Sequence, residues 1–372
     1  MDPIYLDYNA TTPIDPEIAE TILPFIIHHY GNPSSTHAYG TFASQAVNNA
    51  RKQVSDMLNC DPEEVIFTSG GTESNNHAIK GIASTYRHKG NHIITSSVEH
   101  PAVVEVCQWL ETQGYRITYL PVDKLGSIDT VELETAITPD TILITIMHAN
   151  NEVGTVQPIR TITEIAHSKN VLVHTDAAQS AGKISVDVQD LGVDLLSLAG
   201  HKLYAPKGIG ALFVKKGTSL SKLMHGAGHE MGWRAGTENV IHITGLGKAC
   251  EMIKDNLDEY SRHMASMRNS LQTGLRLNIP TALFNGHPSQ RLPNTLSVSF
   301  QGLEADNLLS RLNRIAISAG AACHSDRIEI SSVLQAMAIP LDYAMGTLRI
   351  STGRFTTGEE IDIAISEITN AV

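Results

Sequence analysis

The chain has 372 residues, 42% of them apolar, which is enough for a sizeable core and, at about 150 residues per domain, for two domains. Its 27 Lys and Arg against 39 Asp and Glu give a net charge of −12, which argues against nucleic acid as a main partner because neutralising phosphates takes basic surface. The four cysteines, Cys60, Cys107, Cys250 and Cys323, are widely spaced and form no C-x-x-C pair, so the chain reads as a reduced, cytoplasmic protein and not as a disulfide framework. The opening MDPIYLDYNATTP has neither a basic region nor an apolar stretch of the signal-peptide kind, and no apolar run approaches the roughly 18 residues of a membrane span. There are 17 histidines, but no H-E-x-x-H and no paired Cys/His spacing, so no metal is expected.

Short apolar runs alternate with amphipathic stretches along the first 250 residues. Val65-Ile66-Phe67, His92–Thr95, Thr141–Met147, Val171–His174, Asp194–Leu198 and Gly210–Val214 are predicted strands, apolar on both faces, which suits a parallel sheet covered by helices. Residues 103–113 and 159–168 are predicted crossover helices, so the pattern is α/β. Beyond about residue 250 the texture changes. Residues 247–277 are predicted as one long polar helix, followed by a strand at Thr295–Phe300 and helices near 304–313, 330–338 and 358–370. The spacing Gly245-x-Gly247 lacks a third glycine and does not open a strand–helix turn, so no dinucleotide site is expected there.

Ligands of open α/β sheets bind at the carboxyl ends of strands, and the informative motifs cluster at such ends. Ser69-Gly70-Gly71-Thr72 follows a strand and precedes a helix, which suits a cradle for one phosphate or a plain capped turn. Asp176, in VLVHTDAAQSAG, is predicted to be buried; it either caps the next helix or faces a cation such as the pyridinium of pyridoxal phosphate. Lys202, in SLAGHKLYAPKGIG, sits among apolar residues and glycines, where desolvation would free its amine for a Schiff base; the competing reading is a surface loop lysine. Cys323, in SAGAACHSDRIEISS, is surrounded by small residues and reads as an exposed thiol on a flexible loop, whereas the other three cysteines read as inert. His100, in TSSVEHPAVVE, is either a satisfied core histidine or a ring-stacking proton carrier.

Taken together the motifs resemble those of the cysteine desulfurases, in the class V aminotransferase group. The resemblance runs from Tyr5 to about Thr357 through YLDYNATTP, GNPSS, FTSGGTESNN, SSVEHPAV, HANNEVGTVQP, HTDAAQSAGK, GHKLYAPKGIGAL, RAGTEN, SAGAAC and LRISTGRFTT, in order. It implies a fold-type I pyridoxal-phosphate architecture: a large domain, residues 16–250, with a mainly parallel seven-stranded sheet, and a smaller α/β domain made of residues 1–15 and 251–372 that carries the cysteine loop. It also implies a pyridoxal 5'-phosphate enzyme that converts L-cysteine to L-alanine with a persulfide on Cys323. L-Selenocysteine is the alternative substrate; an aminotransferase or a non-catalytic sulfur-trafficking scaffold is the remoter reading.

By position, Lys202 resembles the Schiff-base lysine, Asp176 the partner of the pyridine nitrogen and His100 the residue stacked on the ring. Gly71, Thr72 and His201 match phosphate-binding positions, as does Thr237, which the resemblance assigns to a neighbouring subunit of a homodimer. Asn151 and Gln179 match contacts to the substrate side and the ring hydroxyl. Arg349 matches the clamp for the substrate carboxylate, and Cys323 the sulfur acceptor, on a loop like that of the longer-loop branch, which passes sulfur to an acceptor protein. Ala199 stands where many relatives carry a phosphate-binding Ser, Ala205 stands for a common Gly, and the chain stops at Val372, short of relatives with a scaffold-binding extension.

Overall fold

The computed structural model describes residues 3–324 and 327–372, and the side chains of 321–329 lie outside the described set. Seven strands form the large sheet: β1 (Val65–Thr68), β2 (His92–Ser96), β3 (Arg116–Leu120), β4 (Thr141–Thr145), β5 (Leu172–Asp176), β6 (Leu195–Ala199) and β7 (Gly210–Val214). Their order is β1-β7-β6-β5-β4-β2-β3. Every predicted strand of this region is present. β3 was not predicted, because RITYL at the sheet edge is partly exposed and mixes polar with apolar residues.

The sheet is mainly parallel, as expected, with one antiparallel strand. β7 pairs antiparallel with both β6 and β1. The reason lies in the connection. Residues 200–209 join β6 to β7, and Ala199 pairs directly with Gly210; a parallel return needs a crossover of about a dozen residues or more. This short connection is the segment that carries Lys202. Gly200 permits it, since a Cβ there would sit 2.7 Å from Ile209 Cγ2 and 2.9 Å from its carbonyl oxygen.

Helices cover the sheet, among them Gly71–Tyr86, Pro101–Thr112 and Ile159–Ser168. A second, antiparallel sheet orders Ser318–Ala319, Thr347–Ser351, Thr295–Ser299 and Leu283–Asn285. Its core joins Leu296, Val298, Leu348 and Ile350 to Leu271, Leu275, Ile361 and Ile368. The N-terminal strand Ile4–Tyr5 pairs parallel with Ile315–Ala316, so the first residues of the chain belong beside the second sheet. The helix Val240–Asn278 runs unbroken through position 250; its first half packs on helices Ala38–Leu58 and Pro16–Ile27, and its end on Gly358–Ala371. Gly247 lies inside this helix, where a Cβ would come within 2.6 Å of Ala50 Cα, so close helix packing accounts for the glycine. No described helix is long and apolar enough to cross a membrane.

One correction concerns Cys323. The run of small residues predicted a loop, but the backbone of Ala321–His324 pairs antiparallel with Arg327–Ile330. Pairing the strands satisfies backbone N–H and C=O groups that such small side chains leave uncovered.

The buried ion pair of the large sheet gives a stability prediction. Arg51 donates to both carboxylate oxygens of Glu230 at 2.8 Å and to Val65 O at 2.6 Å, while Phe67 N donates to Glu230 Oε2 at 2.8 Å. Arg51→Met leaves that carboxylate buried without its cation. The unfolding free energy should fall by about 3–5 kcal/mol, read by chemical denaturation. Adding Glu230→Gln should recover part of the loss, because a neutral amide oxygen still accepts from Phe67.

Candidate active site

The carboxyl ends of β1, β2, β4, β5 and β6 converge on a cavity of about 380 Å³, within the roughly 300–1,000 Å³ of small-molecule sites. Gly71, Thr72, His100, Asn151, Asp176, Gln179, His201, Lys202 and Arg349 all line it. The sequence placed these residues in separate motifs; the sheet brings them together.

At the end of β1 the helix Gly71–Tyr86 starts against the cavity. The first N–H groups of a helix have no intrahelical acceptor, and its N-terminus favours anions. A Cβ on Gly71 would stand 3.3 Å from the Ala199 methyl, so the cradle is narrow at this point.

Asp176 ends β5 and is 7% exposed. Its oxygens accept from Asn75 Nδ2 at 2.6 Å and from Ala178 N at 2.9 Å. Among the described residues it has no cationic partner, so its charge faces the cavity that it lines. Asn75 is fully buried, and its Oδ1 has no hydrogen-bond partner among the described residues.

Lys202 closes the single 3-10 turn after β6. Its Nζ donates to the carbonyl oxygens of Asn9 at 2.5 Å and Ala10 at 2.6 Å. Burial, with Arg349 adding repulsion, pushes its amine from 10.5 down to about 8. Nearby Asp7 and Asp176 oppose the shift without cancelling it. His201 sits beside it with Nδ1 3.2 Å from Thr11 Oγ1, and burial followed by the Lys202 charge lowers its imidazole to about 4.

His100 caps the helix Pro101–Thr112: its Nδ1 accepts from Ala102 N at 3.1 Å. That bond assigns the proton of the neutral ring to Nε2. Desolvation within the site lowers its pKa, with Asp176 acting against the shift and the Lys202 charge adding to it. Beside it, the carboxyl of Glu99 accepts from Ser96 Oγ at 2.6 Å and from Met147 N at 2.9 Å, tying the end of β2 to the end of β4; burial raises it to about 8.

Arg349 enters from the second sheet. Its Nη2 donates to Asp7 Oδ1 at 3.0 Å and to Ser318 Oγ at 2.9 Å, and its Nη1 to Asn151 O at 3.4 Å. Nε is buried and has no partner among the described residues. The residue lines the cavity, and among the described residues Nη1 makes only the one long bond to Asn151 O.

One predicted residue lies apart from this cavity, and another falls outside the described residues. Thr237 lines a separate pocket of about 200 Å³ with Ser69, Arg234 and Glu238. The side chain of Cys323 lies outside the described residues. The remaining cysteines are held as protonated thiols: burial pushes Cys60 and Cys107 up to about 12 and raises Cys250 as well. Sequence reasoning missed Asn9 and Asn75, although both sit within the motifs YLDYNATTP and FTSGGTESNN, because nothing local marks either amide as buried.

The depressed amine predicts selective chemistry. In the cofactor-stripped chain, acylation of Lys202, followed by peptide mass spectrometry, should rise as the pH passes through about 8 and level off above it, while exposed lysines keep rising toward their ordinary range near 10.4. A Lys202 profile that follows the exposed lysines would contradict the geometry.

Comparison with known proteins places the chain. Residues 4–363 match the aminotransferase class-V family. A protein named cysteine desulfurase IscS from Methanosarcina thermophila is 48% identical over 371 residues, covering 99% of this chain and 92% of the relative. A solved structure of a NifS-like protein superposes with a TM-score of 0.93 at 38% identity, covering 99% of this chain and 98% of its own. The structure described as SspA in complex with cysteine superposes with a TM-score of 0.81 at 36% identity, covering 95% of this chain and 100% of its own. Matched along nearly its whole length by proteins of this name, the chain belongs to the class-V aminotransferase family and, within it, to the pyridoxal-phosphate-dependent cysteine desulfurases.

Proposed function

We propose that this enzyme removes the sulfur of L-cysteine, releasing L-alanine and leaving a persulfide on Cys323. The observation that carries the reading is the convergence, in one cavity, of a depressed lysine amine, a buried carboxylate without a cation, a helix N-terminus and an arginine from the second sheet.

These residues fit pyridoxal 5'-phosphate. The start of the helix at Gly71 and Thr72, with His201, suits its phosphate. Asp176 suits the protonated ring nitrogen, since a buried carboxylate calls for a cation. Gln179 is assigned to the ring hydroxyl, and His100 to the ring face. The bound cofactor supplies an aldehyde and an electron-accepting ring.

The protein does the rest. Lys202 Nζ, its pKa lowered to about 8, is the amine that would hold the cofactor's aldehyde carbon and, once freed from it, would take the proton from the substrate Cα. Arg349, its Nη2 fixed by Asp7 and its Nη1 held only by a long bond to Asn151 O, offers donors to the substrate carboxylate, and Asn151 lies on the same wall. His100 Nε2–H, the ring position left free by the Ala102 bond, can donate a hydrogen bond toward the cavity. The Cys323 thiolate attacks the substrate sulfur. The S–S bond forms, the Cβ–S bond breaks with its electron pair going to carbon, and a proton completes the alanine methyl.

Two further assignments belong to this reading. The chain divides into residues 16–250 and, as a second unit, residues 1–15 with 251–372. It works as a cytoplasmic homodimer that hands sulfur to an acceptor protein. Thr237, absent from its own chain's cavity, is assigned to the phosphate of the partner's site. The exposed apolar side chains of Leu23, Ile26, Ile27, Tyr30, Tyr39 and Phe42 give a surface of the kind that association covers.

With L-cysteine as substrate, Lys202→Ala should reduce alanine release by about a thousandfold or more. Cys323→Ser should abolish the intact-mass gain of one sulfur atom while leaving cofactor absorption in place. Wild-type alanine release from either variant would end the proposal.

A further inference from the structure

Lys183 is a lysine that the reaction scheme does not use, yet it lies against the site. It is 4% exposed. Its Nζ donates to Gln179 Oε1 at 2.9 Å and to Asn9 Oδ1 at 3.3 Å. Among the described residues it forms no ion pair, and a charged amine here would stand near both Lys202 and Arg349. Burial first, then those two cations, push its pKa well below the ordinary lysine range. Its N–H groups are directed to these two oxygens.

This arrangement decides which way round the Gln179 amide sits. The two ends of a glutamine amide have the same shape and opposite hydrogen-bonding sense. Lys183 donates, so the atom facing it is Oε1. Asn9 O can only accept, so the atom facing it is Nε2, at 2.9 Å. The orientation is thus set from two sides. One hydrogen of Nε2 goes to Asn9, and the other is left unused by the protein on a side chain that lines the cavity. Were the amide reversed, two oxygens would face each other at Asn9 and the cavity would meet an acceptor in place of a donor.

We propose that Lys183 is a positioning residue that locks Gln179 with its N–H side toward the cofactor, so that Gln179 donates to the ring oxygen of pyridoxal phosphate. The proposal rests on the reading of Gln179 as the ring-hydroxyl contact. A donor at that point favours the anionic form of the ring oxygen, so it acts on the electronic state of the bound cofactor as well as on its retention.

Lys183→Met keeps the length and apolar stem but has no donor, and leaves Gln179 free to turn. Three chains are compared with wild type: Lys183→Met, Gln179→Leu and the double variant. The readouts are the absorption spectrum of each holoenzyme at fixed pH, and the dissociation constant from titrating the cofactor-stripped full chain with pyridoxal 5'-phosphate. Lys183→Met should change the spectrum and weaken binding about tenfold, the effect of losing one oriented hydrogen bond. The double variant should be no worse than Gln179→Leu alone, because Lys183 acts through Gln179. Lys183→Gln, which keeps an N–H donor for Oε1, should hold the wild-type spectrum and bind within about threefold, and it serves as the test if the methionine variant does not fold.

Multiplying effects in the double variant, or a changed spectrum in Lys183→Gln, would overturn the proposal. So would a wild-type spectrum in Lys183→Met beside an altered one in Gln179→Leu, and this result would leave the Gln179 assignment standing. No change in Gln179→Leu would remove the Gln179 assignment itself, and the Lys183 role with it.

Discussion

The amide and main chain of Asn9 hold together the parts on which the site depends. Its carbonyl oxygen accepts from Lys202 Nζ and Gln179 Nε2. Its side-chain oxygen accepts from Lys183 and Asn294, and its side-chain nitrogen donates to Asn151 O and Thr295 Oγ1. Its own N–H reaches Ser351 Oγ at 2.9 Å. The residue is 1% exposed, so each of these groups would be costly if left unmade. Lys202, Gln179 and Lys183 belong to loops around the large sheet, whereas Thr295 and Ser351 belong to the second. The N-terminal segment is therefore the joint at which the two sheets fix their relative register around the cavity.

The joint also explains why amines are tolerated there. Lys202 and Lys183 both point at oxygens of the N-terminal segment, and neither forms an ion pair among the described residues. Neutral oxygens solvate an amine without adding the negative charge that would hold its proton. Burial then lowers both pKa values, and Arg349 lowers them further. The same burial acts on thiols in the opposite sense of charge: it keeps Cys60, Cys107 and Cys250 protonated and unreactive. One physical effect thus prepares the lysine as a base and silences the cysteines that the chemistry does not use.

Arg349 is the second bridge. It lies in a strand of the second sheet, pairs with Asp7 of the N-terminal segment and with Ser318, and faces the cavity formed by the large sheet. Ser318 lies three residues before the start of the strand that contains Cys323, and its hydroxyl donates to Asp7 Oδ2 at 2.8 Å. On the other side of the hairpin, Ser331 donates to the buried carboxylate of Glu152, next to Asn151. Both feet of the hairpin are thereby tied to residues at the cavity wall.

Much of this was legible in the residues themselves. Runs such as VIFT, HIIT and GALFV are apolar on both faces, and only a covered sheet accommodates them. The motifs at their carboxyl ends then nominate Gly71, Asp176 and Lys202, because the position of a strand end is a local property. The direction of β7, the edge strand β3 and the hairpin at 321–330 were not legible, since each depends on which partner lies alongside. Nor were Asn9 and Lys183: nothing local distinguishes a buried lysine held by two neutral oxygens from one on the surface. Chain order alone determined which side chains carry chemistry; the tertiary structure decided which of them share one desolvated volume, because burial and pairing across hundreds of residues arise only when the sheets close on each other.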